Sequence, residues 1–297
     1  MPFDRQGRLR LCNGLAKQAF EQGAVHGIAV FWVAGWHLVA TGNAFVQSRD
    51  LSNARHIGPL APRSGGPMSQ RFAIYYAPAV TDLLWERAAL WLGRDPASGV
   101  SYDGAVAGME RTRLLNLTQS AGRYGFHATL KPPMALASGR SEESLRAAMK
   151  EAAGELPTVP LGKLRIASLD GFLALMPEEA NNTQLQDFAA TVVERFDPFR
   201  APLKPRDRAE RAARGLTPRQ EELLDAYGYP YVFDQFRFHM TLTDRLSPAE
   251  HDEVLQAAQT WFGPILNDPV TLDRLTLFHE KENKLPFDRI ADFPLRG

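Results

Sequence analysis

The apolar positions of this chain fall into short runs whose period keeps changing. At residues 71–78 the run RFAIYYAP is almost continuously apolar and stops at Pro78, which predicts a buried strand. TDLLWERAALWLG follows with apolar residues at helical spacing, a helix with Thr81 as cap and Gly93 at its end. A loop containing GRDPASGVSYDG leads to GRYGFHATLKPP at 122–133, where side chains alternate as in a half-buried strand. SEESLRAAMKEAAGEL then reads as a helix, with Ser141 as cap and Glu142 and Glu143 against the positive end of its dipole. LGKLRIASLDGFLALMP reads as two strands about the turn dipeptide Asp170-Gly171.

The order then repeats. FLALMP (172–177) is again an apolar strand ended by proline, NTQLQDFAATVVERF is a helix, and QFRFHMTLTDRL (235–246) is an alternating strand. SPAEHDEVLQAAQTWFG is a helix with Pro248 in its first position and a Ser247/Glu250 capping box, and VTLDRLTLFHE and FDRIADFPL close the chain as strands. Strand, helix, histidine strand, helix, strand is thus written twice. The pattern predicts an α+β, bilobal, duplicated fold: two mainly antiparallel sheets, one per lobe, with helices on the outer faces and a central groove. Lobe 1 is expected over 68–170 and lobe 2 over 171–297, the two forming a single bilobal domain.

Residues 1–67 show no comparable alternation. They end in HIGPLAPRSGGPMSQ, where Gly and Pro take six of the ten positions from Gly58 to Pro67, the composition of a linker. Met68 follows at once, which suggests a native start there with 1–67 as an extension, the rival being a small accessory segment. The apolar run within GIAVFWVAGWHLVATG (27–42) is shorter than the roughly 18–20 residues of a spanning helix. No membrane insertion is expected.

Lysine plus arginine and aspartate plus glutamate balance at 34 each, so the surface as a whole is no trap for nucleic acid or anionic lipid. Cys12 is the single cysteine, which excludes an internal disulfide and a cysteine zinc site and suits a reduced, cytoplasmic protein. Neither a Walker nor a dinucleotide glycine loop is present, nor a HExxH zinc signature.

Alternation along the first histidine strand would turn Arg123, Gly125, His127, Thr129 and Lys131 to one face. On the second it would turn Arg237, His239, Thr241 and Thr243 together. Two imidazoles converging on a groove can take a proton from an attacking oxygen and give one to a leaving oxygen. The threonine hydroxyls can steady charge on a phosphoryl oxygen, and Arg123, Lys131 and Arg237 are candidates for phosphate recognition. No metal or other cofactor is required. His279, at a predicted strand end, is a further candidate for the groove. The tract 200–220 carries seven Lys or Arg against two acids. It reads either as a solvated helical face with pairs such as Arg206 and Glu210, or as a basic flank for an anionic substrate or an RNA end.

The pair FHATL and FHMTL resembles the two HxT signatures of the 2H phosphoesterase superfamily. RFAIYYAP, LWLGRD and RYGFHATLKPP resemble a subfamily associated with phosphonate metabolism and carbon-phosphorus lyase genes. The resemblance covers about residues 70–297. It implies His127 and His239 as the acid/base pair, Thr129 and Thr241 as phosphate-binding hydroxyls, and a metal-independent mechanism. The implied substrate is a cyclic phosphate or small phosphodiester, such as a phosphoribosyl cyclic phosphate. The alternatives are an RNA 2′,3′-cyclic phosphodiesterase and a noncatalytic binder of nucleotides or phosphosugars.

Overall fold

A computed structural model describes residues 70–179, 181–213 and 215–297, together with the backbone of three strands nearer the N-terminus. The chain divides into two units, Met1–Ser64 and Gly65–Gly297. In the first, β1 (Ala29–Val33), β2 (Trp36–Thr41) and β3 (Ala44–Phe45) form an antiparallel meander. The sequence pattern did not suggest these strands. The rest of 1–67, the linker and Met68 lie outside the described residues.

The second unit is a mixed α+β structure with antiparallel pairing throughout its sheets. Its first strand, β4 (Arg71–Tyr76), is followed by α1 (Leu83–Leu92). The helix is capped by Asp82, whose carboxylate accepts from the Leu84 amide at 2.7 Å, and not by Thr81. Gly93 ends it in the left-handed conformation. Two short helices then appear that the alternating pattern did not suggest, α2 (Arg111–Leu117) and α3 (Gln119–Tyr124). Only then does β5 (Ala128–Met134) begin. The remaining order is α4 (Glu142–Glu155), β6 (Val159–Gly162), β7 (Leu164–Leu169), β8 (Phe172–Pro177) and α5 (Thr183–Phe196). After these come α6 (Pro205–Ala212), α7 (Pro218–Tyr227), β9 (Met240–Thr241), α8 (Pro248–Phe262), β10 (Val270–Leu272), β11 (Arg274–Glu280) and β12 (Asp288–Pro294). The Ser141 cap, the Ser247/Glu250 capping box and the Asp170-Gly171 hairpin form as the sequence indicates; both turn residues have positive φ, which suits a tight hairpin.

The expected one sheet per lobe is corrected. Seven strands join in the single order β12-β11-β4-β5-β9-β8-β7, and β10 pairs with β6 in a separate ribbon. Two things cause this. β11 returns to pair with β4, and β9 pairs with β5 on one side and β8 on the other, so neither histidine strand is left with an open edge. The two histidine segments are therefore neighbours in mid-sheet.

Two bulges in β5 decide which way its residues turn. Thr129 pairs with Tyr75 but Lys131 pairs with Ile74, so one extra residue of β5 sits opposite adjacent residues of β4. Since Ile74 and Tyr75 face opposite sides, so do Lys131 and Thr129. The prolines at 132 and 133 supply no ladder donor, which suits an irregular register there.

Candidate active site

Within 126–130 and 236–242 burial alternates as expected: Phe126, Ala128 and Leu130 are buried, as are Phe236, Phe238, Met240 and Leu242. His127, Thr129, His239 and Thr241 are partly exposed between them. The pair Ala128–Met240 joins the two segments antiparallel. Counting one residue outward sets His127 across from Thr241 and Thr129 across from His239. The two HxT motifs thus form one four-residue cluster on one face of the sheet.

Both imidazoles are held alike. His127 Nδ1 lies 2.8 Å from the Gly125 carbonyl and His239 Nδ1 lies 2.8 Å from the Arg237 carbonyl. A carbonyl only accepts, so Nδ1 carries the proton in each ring and Nε2 keeps its lone pair when the ring is neutral. The Thr129 hydroxyl donates to His127 Nε2 at 3.3 Å. Gly125 makes the first arrangement possible: its φ of 78° and ψ of 173° belong to a region that only glycine enters readily.

The surroundings of the two rings differ. Tyr75, paired with Thr129, stacks on His127 with centroids 3.7 Å apart. Ala174 holds the corresponding position beside Thr241, and among the described residues the ring beside His239 is that of Phe172, tilted at 5.8 Å. Burial pushes His127 down to about 4, against the Gly125 carbonyl, which favours the charged ring; the charge of His239 lowers it further. His239 is also lowered, first by burial, with its own hydrogen bond to Arg237 and the Asp170 carboxylate opposing.

Other residues expected in the groove are located differently. Arg123 is in α3, not in a strand, because Asp244 accepts from the Ser120 and Ala121 amides and fixes that turn as helix. Its guanidinium pairs with Glu280. Lys131 is turned by the bulge into the layer beneath α5: 1 % exposed, it donates to the Val193 carbonyl at 3.0 Å and pairs with Asp197 at 2.7 Å. Thr243 is buried and accepts from the Leu173 amide. His279 stacks on Phe72, on the opposite face from Tyr75. Arg237 remains exposed beside His239, and no ion pair of its own is seen among the described residues. Three arginines of the basic tract are paired as a solvated face would be, Arg206 with Glu210, Arg208 with Asp225 and Arg219 with Asp234.

Three residues on this face of the sheet were not singled out from the sequence: Tyr75, Arg71 and Glu280. Arg71 and Tyr75 lie four apart on β4, and Glu280 pairs with Arg71 while Thr276 pairs with Tyr75. The four-residue spacing was there to be read in RFAIYYAP, but which strand lies beside it was not.

A family model described as "Protein of unknown function (DUF1045)" matches residues 129–288, from the first HxT threonine to the start of β12. The chain belongs to the DUF1045 family. Two curated relatives of this DUF1045 chain are named ribose 1,5-bisphosphate phosphokinase PhnN. That of Janthinobacterium sp. (strain Marseille) is 36% identical over 233 residues, 76% of this chain and 51% of the relative. That of Laribacter hongkongensis (strain HLHK9) is 35% identical over 214 residues, 71% of this chain and 48% of the relative. The chain spans about half the length of the curated relatives it matches. Among solved structures, Kluyveromyces marxianus Usb1 aligns at 12% identity over 76% of this chain and 97% of that one, with a TM-score of 0.28, too slight a likeness to support a fold assignment.

Proposed function

We propose that this protein is a phosphoesterase of the 2H type that opens a cyclic phosphate on a small phosphorylated sugar. The observation that carries the reading is the juxtaposition of the two HxT motifs through the Ala128–Met240 pair, with matched Nδ1 bonds that leave Nε2 as the basic nitrogen of each ring, that of His127 accepting from Thr129. Water attacks phosphorus, one neutral imidazole takes its proton at Nε2, and the other, protonated, gives its Nε2 proton to the departing sugar oxygen. One P–O bond forms and one breaks, and the product is a phosphomonoester. His127 suits the base, being the ring that burial beneath Tyr75 keeps neutral; His239 suits the acid. Thr129 and Thr241 supply hydroxyl donors to the phosphoryl oxygens, and Arg237 supplies a cation at the rim.

The relatives' name supports this substrate class. Kinases of the P-loop class carry G-x-x-x-x-G-K-[ST], and this sequence has no such loop. The relatives are about twice the matched length, so a kinase half joined to a half like this chain accounts for both facts. Opening a ribose cyclic phosphate would yield a ribose phosphate of the kind that a ribose 1,5-bisphosphate kinase consumes, which fits a role in phosphonate metabolism. The paired arginines of 200–220 favour such a small substrate over an RNA end.

Phosphorus NMR of the full chain in excess EDTA, with ribose and nucleoside cyclic phosphates, tests the reading. Turnover is expected to survive EDTA and to fall by about 10² to 10⁴ in His127→Ala and in His239→Ala. Turnover lost with EDTA, or unchanged in either variant, refutes the two-histidine mechanism.

A further inference from the structure

Beyond the HxT cluster, the same face of the sheet carries a second group of fixed charges. Glu280 is completely buried, and its two oxygens are bracketed by two guanidiniums, Arg71 through Nε and Arg123 through Nη2. The Lys284 amide adds a third donor at 2.9 Å, and the Lys284 carbonyl accepts from Arg123 Nε at 3.2 Å. Lys284 itself is bent into a positive φ of 75°, so the loop after β11 is shaped around this carboxylate. The ring of Phe287 lies 5.7 Å from both guanidinium carbons and gives the two planes a common floor.

One arginine balances the charge of one buried carboxylate. Here there are two, the trio carries a net positive charge, and both arginine side chains remain 25 % exposed. The Nη groups of Arg71 and Nη1 of Arg123 have no partner among the described residues. These nitrogens are spare donors on partly exposed guanidiniums that Glu280 already holds, the kind of group that bidentate recognition of a phosphate uses.

The cluster adjoins the catalytic pair. Tyr124 stacks on Phe287 at 5.0 Å and meets His127 at 6.3 Å. Arg71 and Tyr75 occupy one face of β4, and Tyr75 covers His127. A ring-lined wall therefore runs from the imidazole to the guanidiniums.

We infer that Arg71 and Arg123, aligned by Glu280, form a second phosphate site that receives a terminal phosphomonoester of the substrate while the HxT cluster holds the phosphate to be cleaved. This rests on the phosphoesterase reading for the second half of the statement and not for the first. It narrows the substrate to a sugar bearing two phosphoryl groups, and it gives Arg123 a phosphate-binding role from a helix rather than from a histidine strand.

The test is calorimetric binding of ribose 5-phosphate and of ribose to the full-length protein, its Arg71→Met and Arg71→Lys variants, and His127→Ala. Ribose 5-phosphate is expected to bind and ribose to bind at least tenfold more weakly. Arg71→Met should lose tenfold or more, Arg71→Lys should lose less, and His127→Ala should bind ribose 5-phosphate within a few-fold of the unsubstituted protein. Equal binding of ribose and ribose 5-phosphate by the unsubstituted protein overturns the proposal whether or not a variant folds. So does a folded Arg71→Met that binds as well as the original. Phosphate binding that depends on Arg71, with no cyclic phosphate turned over, would remove the phosphoesterase reading and leave this site. Turnover indifferent both to Arg71 and to a second phosphate would do the reverse.

Discussion

His127 lies flat beneath Tyr75, 18° from parallel, whereas the equivalent place beside His239 belongs to the small side chain of Ala174. The stack removes water from one imidazole of the pair and leaves the other less covered. Replacing Tyr75 by Leu should therefore raise the His127 pKa from about 4 toward its ordinary 6.5, because desolvation is the largest cause of its depression. The imidazole carbon-bound protons followed by NMR through pH 3–8 report this directly. An unchanged midpoint would mean that the stack does not govern the ring.

Under the proposed mechanism the same asymmetry would set the pH range of activity. A neutral His127 as base needs pH above about 4, and a protonated His239 as acid needs pH below its own lowered value, itself under 6.5. The profile of kcat/KM should be bell-shaped with its maximum on the acid side of neutrality, its two limbs belonging to the coupled pair. A maximum at pH 8 would reverse the assignment of roles or remove histidine from the rate-limiting proton transfer.

Stability follows with a definite sign. The folded His127 binds its proton more weakly than the unfolded residue, so between about pH 6.5 and 4 the unfolded chain holds more protons. The contribution of this residue is complete above 6.5 and is lost as the pH falls through that window. Urea midpoints at pH 7 and pH 5 should differ in that direction, and the difference should shrink in His127→Phe.

How far the sequence disclosed this arrangement can be judged residue by residue. The alternation that pairs His127 with Thr129 and His239 with Thr241 is local, and it was legible. So were the helix caps at Ser141 and Ser247, whose bonds span three residues. What failed was non-local: the bulge that inverts Lys131 depends on the register with β4, and the helical turn at Arg123 depends on Asp244. The single seven-stranded sheet depends on β9 entering between β5 and β8. No periodicity within one segment carries such information.

Gly125 offers a test of how tightly His127 must be held. Its dihedral angles belong to glycine, and a Cβ there would come 2.6 Å from Pro96 Cγ. Gly125→Ala should cost on the order of 1–3 kcal/mol of stability. By displacing the carbonyl that fixes His127 Nδ1, it should also lower kcat more than it raises KM. Gly154→Ala, in the helix α4 with no atom near its added Cβ, is the control and should be neutral or stabilising.

Lys131 separates a structural cation from a substrate-binding one. Its ammonium is enclosed between Val193 and Asp197, and burial lowers its pKa against the opposing hydrogen bond and charge of Asp197. Lys131→Met removes that ammonium but leaves Asp197 paired with Arg200 at 2.8 Å, so no carboxylate is stranded. The loss should accordingly stay below the roughly 3–5 kcal/mol typical of breaking a buried pair, and appear as a lower thermal midpoint. Because the side chain points away from the HxT face, KM for a cyclic phosphate should change by less than about threefold in the folded variant, under 1 kcal/mol on the tenfold-per-1.4 scale. A tenfold rise in KM with an unchanged thermal midpoint would return Lys131 to the groove.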